Sequence, residues 1–131
     1  MSWSELALRL REQLGATPAE KLGANTLKIT IPVSNGRTQL VFFTPMGQEG
    51  AWVEILTPVA QERDIDARTL LLQNLQVNVG AFALAENGMV HFRHALPLHG
   101  LPFGEFEDVV RTIADYADRV EQLATAGKDA F

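Results

Sequence analysis

The sequence predicts an α+β fold in which three helices cover one face of a twisted antiparallel sheet of five strands. Segments of alternating apolar and polar residues come in pairs, Asn-Gly dipeptides stand between paired segments, and other segments repeat apolar residues every three or four positions. These observations give the element order α-β-β-β-α-β-β-α. The 131 residues fit one domain, which we expect to span residues 1–131 with a flexible C-terminal end at 126–131.

The first helix is predicted over residues 3–14. Ser2 and Glu5 have the spacing of a capping box at its start, and Gly15 can end it. Apolar residues between these positions recur at intervals of three to four, which places them on one helix face. The first strand follows at 26–33, where apolar and polar residues alternate strictly.

The first hairpin is predicted around Asn35-Gly36, a dipeptide that favours a two-residue type I′ turn. A turn of that length pairs Ile29 with Phe42 and puts both side chains on the face that the helices cover. Phe43 then points to the opposite face, the outer face of the sheet, which the helices leave uncovered. The third strand lies within residues 47–60.

A second helix and a second hairpin follow. Asp64 or Asp66 can cap a short helix at 67–75, whose leucines spread beyond one stripe and indicate burial from two sides. The predicted seam of a homodimer consists of these leucines: Leu70, Leu71, Leu72 and Leu75. Asn87-Gly88 predicts another two-residue turn, and Pro102 opens a long last helix with apolar residues three or four apart.

The two hairpin registers place more apolar side chains on the outer face than a lone domain normally exposes. We therefore predict that this face binds a protein partner, although cover by the chain's own last helix or loops is an open alternative. The predicted partner-binding residues are Phe43, Trp52, Leu56, Phe82, Leu84, Met89 and Arg93. The basic residues expected at the rim are Lys28, Arg37 and Arg93.

The three histidines lie close together in the sequence, but they do not predict a metal site. His91 and His94 are three residues apart on one strand and should face opposite sides of the sheet, while His99 follows Pro97 after the strand has ended. We expect no structural metal and no cofactor. A pocket near His94 and Tyr116, between the sheet and the last helix, would instead support an alternative function as a small-ligand sensor.

Composition and motifs exclude several function classes. Eleven basic and sixteen acidic residues give a net charge of −5, and no basic stripe offers a surface for nucleic acid. The absence of cysteine excludes disulfides and thiolate nucleophiles, and no catalytic sequence motif is present, so we expect no enzyme. No apolar run suits membrane insertion, and the charged N-terminal segment does not suit a signal peptide, so we expect a cytoplasmic protein. The acidic residues of the last helix are assigned to a solvated face: Glu105, Glu107, Asp108, Asp115, Asp118 and Glu121.

Four segments carry a family pattern: LLLQNL, GAFAL, VHFRHALPL and FEDVVRTIADYADRVEQL. Its positions are Leu71, Leu72, Asn74, Gly80, Phe82, Leu84, Leu96-Pro97-Leu98, Ala117, Asp118 and Glu121. In element order and pattern the chain resembles the superfamily of small type III secretion chaperones, and its last helix is closer to the YbjN-like regulators. The resemblance implies a type III secretion chaperone-like fold and an acidic, cytoplasmic, non-enzymatic homodimer that binds an extended polypeptide segment or another protein.

Overall fold

The computed structural model describes residues 1–14, 20–22 and 25–126. Its helices are α1 (Trp3–Gln13), α2 (Ala67–Asn74) and α3 (Phe103–Ala126). Its strands are β1 (Glu20–Leu22), β2 (Thr26–Pro32), β3 (Thr38–Met46), β4 (Trp52–Gln61), β5 (Ala81–Leu84) and β6 (Met89–Pro97). The predicted α+β fold and the order of its three helices and five strands are confirmed, and β1 adds one short strand at the sheet edge. Of the tail predicted to be flexible, Ala126 ends α3 and the rest lies outside the described residues.

The strands form one antiparallel sheet with the spatial order β1-β2-β3-β4-β6-β5. In the described ranges all three helices lie on one face of this sheet, the inner face: α3 packs across β3 and β4, and α2 lies beside β5. α1 contributes Leu6 and Leu10, both fully buried, to the same core. No helix within 1–14 or 25–126 is both long and apolar enough to cross a membrane.

The alternation predicted for the strands builds the core. Leu27, Ile29 and Ile31 of β2 are buried, and Val53 and Ile55 of β4 continue the same inner face, as the sequence pattern predicts. Polar or half-buried residues separate them along each strand. The strands therefore expose one face to the helices and leave the other for a different contact.

The register of the first hairpin differs from the prediction by one residue. Its loop has three residues, Ser34–Gly36, rather than two, and the N–H of Val33 donates to the carbonyl of Arg37 at 2.9 Å to close it. β2 therefore pairs Leu27 with Phe43, and both side chains point to the inner face. Because side chains alternate along a strand, the shift by one residue reverses the predicted faces of β3.

The second hairpin has the same one-residue shift. Its loop consists of residues 86–88, and the N–H of Ala85 donates to the carbonyl of Met89 at 2.9 Å. Phe82 therefore lies opposite Phe92, and both rings belong to the inner face. Three-residue hairpin loops that end in a left-handed glycine are common, and both loops are of this kind.

Candidate functional site

The outer face of the sheet carries a row of apolar side chains. Within the described ranges no helix covers them. The apolar members are Leu40, Phe42, Met46, Trp52, Leu56, Pro58 and Met89. Trp52 is the most exposed of these at 45%, and the others are half-buried by their neighbours on adjacent strands. Glu54, His91 and Arg93 lie among them on the same face, and a surface that mixes apolar side chains with a few polar ones is typical of a protein interaction site.

Arg93 lies near the centre of the outer face. In the sheet it stands opposite Leu56 on one side and Ala81 on the other. Its Nε donates to Oε2 of Glu54 at 2.6 Å, and its Nη2 lies 3.8 Å from Sδ of Met46. The guanidinium therefore extends from β6 over β4 toward β3 and lies along the apolar row.

The two strand histidines face opposite sides of the sheet, as predicted. His91 is on the outer face, where burial lowers its pKa and the nearby charge of Glu54 opposes that shift. His94 is on the inner face, and its Nδ1 accepts a hydrogen bond from the N–H of Gly80 at 3.1 Å. Burial and then the charge of Arg93 lower the pKa of His94. Among the described residues no group of three or more metal-ligating side chains has the geometry of a metal site.

Three predicted partner-binding residues lie on the inner face because the hairpin registers differ from the prediction by one residue. Phe43 is fully buried, and its ring centroid lies 6.0 Å from that of Phe106 on α3. Phe82 is 9% exposed and packs 5.9 Å from the ring of Tyr116. Leu84 shares the inner face with Phe82 but lies at the sheet edge, where it remains exposed. The prediction that these three side chains belong to the outer face is wrong.

Of the remaining predicted residues, Trp52, Leu56 and Arg93 share the outer face. Met89 lies at the far end of the sheet, where it pairs with Gln61 and lines a cleft with Glu121 and Ala124 of α3. Leu40, Phe42 and Met46 also lie on the outer face. They were not predicted there, because a two-residue turn assigns Leu40 and Phe42 to the helix side. A three-residue loop ending at the same glycine would have identified them.

The leucines of α2 divide into one buried and three exposed residues. Leu70 is 5% exposed, whereas Leu71, Leu72 and Leu75 are 67%, 51% and 81% exposed. Leu84 of β5 and Leu123 of α3 are also more than half exposed. Leu71 and Leu84 line one cleft beside α2, and Leu123 lines another; exposed apolar side chains grouped in this way are typical of an interaction site.

α2 is attached to the core by few contacts besides Leu70. Asp66 caps its start, and at its end the Oδ1 of Asn74 accepts from the backbone N–H of Phe82 at 2.8 Å. Tyr116 of α3 donates its hydroxyl to Oε1 of Gln73 at 3.1 Å. The hydrogen bond that the backbone N–H of Phe82 donates to Asn74 also satisfies a group that would otherwise be unpaired at the edge of the sheet.

Apolar clefts flank α2. One, of about 220 Å³, is lined by Glu62, Ile65, Ala67, Leu70, Leu71, Phe82, Ala83, Leu84 and Val90. Another, of about 240 Å³, lies between the sheet, α2 and α3 and is lined by Leu70, Gln73, Phe82, Tyr116, Arg119, Val120 and Leu123. The second cleft contains Tyr116, as predicted for a ligand pocket, but not His94. The ring of Phe92, between Gly80 and Tyr116, fills the space toward His94.

A buried ion pair joins the first hairpin to α3. Asp118 is fully buried and accepts from Arg37 through Nε at 3.1 Å and Nη2 at 3.0 Å, and Nε2 of Gln122 donates to it at 2.7 Å. The assignment of Asp118 to a solvated helix face is therefore wrong, and Arg37 serves this pair rather than the rim of the outer face. The hydrogen bonds that Arg37 donates to Asp118 raise the pKa of Arg37, while burial and the charge of Asp118 raise the pKa of Glu121.

Comparisons with known proteins agree with this architecture. No match is found among curated proteins. The chain is similar to a chain in the structure of the HopA1-SchA chaperone-effector complex, with a TM-score of 0.61 and 14% sequence identity over 92% of this chain and 88% of that chain. This likeness confirms the chaperone-like fold that the sequence resemblance implied.

The family comparison covers most of the molecule. Residues 19–123 match the model of the YbjN family, which is described as "Putative bacterial sensory transduction regulator". The matched range includes every described strand together with α2 and most of α3. The chain belongs to the YbjN family.

Proposed function

We propose that this chain is a non-enzymatic protein-binding module that acts as a homodimer and binds a polypeptide segment or partner protein through the outer face of its sheet. The observation that carries this proposal is the group of apolar side chains on the outer face around Phe42, Leu56 and Trp52, over which no described helix packs. The similarity to a chain from a chaperone-effector complex supports a polypeptide as the partner. A protein of this kind needs no cofactor.

The leucines of α2 support the homodimer. A stable protein interface buries about 800 Å² on each partner. The exposed leucines can form the apolar centre of such an interface, and polar neighbours such as Gln73 and Arg119 can form the rim. A two-fold interface would pair this surface with its own copy, which leaves the outer face of each sheet open for a partner.

We take the partner to be a protein of the cytoplasm. The charge distribution favours a protein partner over nucleic acid. The exposed acidic residues of α3, such as Glu105, Asp108 and Asp115, repel a phosphate backbone. Among the described side chains neither His91 nor His94 is hydrogen-bonded to a hydroxyl group, and the two face opposite sides of the sheet. Binding is therefore the activity that these residues favour.

Affinity capture from the native cell extract, followed by mass spectrometry, tests the outer face. Leu56→Ser should lose the captured partner while its urea midpoint falls by less than about 1 M, because Leu56 is half-buried on the outer face and lies outside the core. Leu8→Ser on α1 is the matched control, since Leu8 is 56% exposed and lies on the helix side. Capture of the same proteins in the same amounts by all three forms would reject the outer face as the binding surface.

A small-ligand sensor is the second candidate, and the cleft beside Tyr116 favours it. This cleft of about 240 Å³ is mostly apolar and has one cation, Arg119, at its mouth. An amphiphile with an anionic group, such as dodecanoate, would raise the thermal unfolding temperature of the wild type but not of Leu70→Trp, in which the cleft is filled. Equal shifts in both forms would exclude this cleft as the site.

A further inference from the structure

The guanidinium of Arg93 has hydrogen-bond donors that its own chain does not use. A guanidinium carries five N–H groups in a rigid plane. Nε donates to Glu54, and Nη2 makes a long contact to the sulfur of Met46. Nη1 has no hydrogen-bond partner in the described part of the chain. The side chain is 40% exposed, which leaves part of it open to a partner.

The surroundings of this edge favour a carboxylate. The two terminal nitrogens of an arginine match the two oxygens of a carboxylate, and such paired bonds are stronger than neutral ones. Leu56 and Phe42 lie in the same cross-strand row as Arg93. A partner that covers these apolar side chains removes water from the arginine, which strengthens a charged hydrogen bond made there.

The acidic charge of the chain does not prevent this contact. The exposed carboxylates of α3, Glu105, Asp108 and Asp115, belong to the helix layer on the other side of the sheet. That layer is on the order of 10 Å from the sheet, whereas charges are screened over about 8 Å at physiological ionic strength. On the outer face Glu54 is the carboxylate beside Arg93, and it occupies Nε rather than the terminal edge.

We propose that Arg93 is the recognition point for an acidic side chain of the bound polypeptide. The partner segment places one Asp or Glu carboxylate on the terminal nitrogens of Arg93 and lays flanking apolar side chains over Phe42, Leu56 and Trp52. This inference rests on the proposed function, and it adds the chemistry of the partner: an extended segment with an acidic residue between apolar ones.

Two synthetic peptides test the inference. Both are capped octapeptides of alternating threonine and leucine in which one central leucine is replaced, by glutamate in the first and by glutamine in the second. In an extended chain the replacement then shares a face with the other leucines. Isothermal titration should show wild type binding the glutamate peptide about tenfold more tightly, as expected for hydrogen bonds to a charged group. This preference should fall as salt is raised, because part of it is electrostatic.

Substitutions of Arg93 test whether this side chain causes the preference for the glutamate peptide. Arg93→Gln should bind both peptides equally, and Arg93→Lys should keep only part of the preference because lysine lacks the paired donors. The double variant Glu54→Gln/Arg93→Gln should behave as Arg93→Gln does, which excludes an effect of leaving Glu54 unpaired. Arg111→Gln is the matched control, since Arg111 is 45% exposed and pairs with Glu107 on α3.

The outcomes separate this inference from the proposed function. Equal binding of both peptides by wild type, or a preference that survives in Arg93→Gln, overturns carboxylate recognition and leaves protein binding by the outer face standing. Failure of wild type to bind either peptide overturns both. A tenfold preference that Arg93→Gln abolishes and Arg111→Gln retains supports the inference.

Discussion

Replacement of Gly80 by alanine tests the packing that seats β5 against the core. Gly80 has a φ of +82°, and a Cβ built on it would lie 2.6 and 2.7 Å from two ring carbons of Phe92. The left-handed conformation costs a non-glycine residue about 1–2 kcal/mol, and displacing a ring in a filled core costs a further ~1–3 kcal/mol. We therefore expect Gly80→Ala to lower the free energy of unfolding by about 2–5 kcal/mol, a large share of the roughly 5–15 kcal/mol of a typical domain.

Urea unfolding followed by circular dichroism measures this loss. With a slope of about 1.5 kcal/mol per molar, the midpoint should fall by roughly 1–3 M. Gly88→Ala is the control: Gly88 has a φ of +86°, but nothing lies within 4 Å of its Cβ position, so this variant carries only the backbone strain. Equal midpoints for Gly80→Ala and Gly88→Ala would refute the close approach of Phe92.

Three further predictions concern the faces of the sheet and its charged groups. Phe43→Ala should lower the free energy of unfolding by about 3–5 kcal/mol and Leu56→Ala by about 1 kcal/mol; similar urea midpoints would contradict the observed registers. Because the pKa of His94 is lowered in the fold, protonation favours the unfolded chain, so stability should be constant above about pH 7.5 and fall as pH drops through its ordinary value of 6.5. His94→Gln should reduce the slope of that limb of a stability profile between about pH 7.5 and 5.5, where His91, whose pKa burial also lowers, supplies the remainder; an unchanged slope would reject this assignment. Arg37→Gln should destabilise the fold more than Asp118→Asn, since it leaves a buried carboxylate without its cation; the reverse order of urea midpoints would contradict the ion pair.

Local chemistry was enough to predict the elements and their caps. The Oγ of Ser2 accepts from the N–H of Glu5 at 3.1 Å, and Oδ2 of Asp66 accepts from the N–H of Thr69 at 3.2 Å, both at helix starts that the sequence indicates. These contacts join residues three apart, so the spacing alone identifies them. The alternation in β2 and β4 likewise predicts which of their residues are buried.

The faces of β3 and β5 could not be predicted, because they depend on loop length. An Asn-Gly dipeptide is compatible with a two-residue turn or with the end of a three-residue loop, and the two choices reverse every side chain on the following strand. Phe43 and Phe82 were therefore expected on the wrong side. Burial of Phe43 against Phe106 is a contact between distant segments, and the local pattern does not contain it.

The role of Asp118 shows the same limit. In the sequence it is one of several acidic residues on the last helix, which is typical of a solvated face. Its partner Arg37 is 81 positions away, and only the packing of α3 across β3 brings the two together. The dimer seam on α2 and partner binding by the outer face remain predictions, since both concern contacts with other molecules.

Hydroxyl-radical footprinting at low and high protein concentration tests whether two copies associate through α2 and leave the outer face open. The dilute and concentrated samples are compared residue by residue at equal radical dose. If the dimer forms through α2, Leu71 and Leu75 become protected as concentration rises, while Trp52 and Met46 keep their reactivity. Protection of Trp52 and Met46 instead would make the outer face the dimer seam, and no concentration-dependent protection at any of these residues would contradict the homodimer.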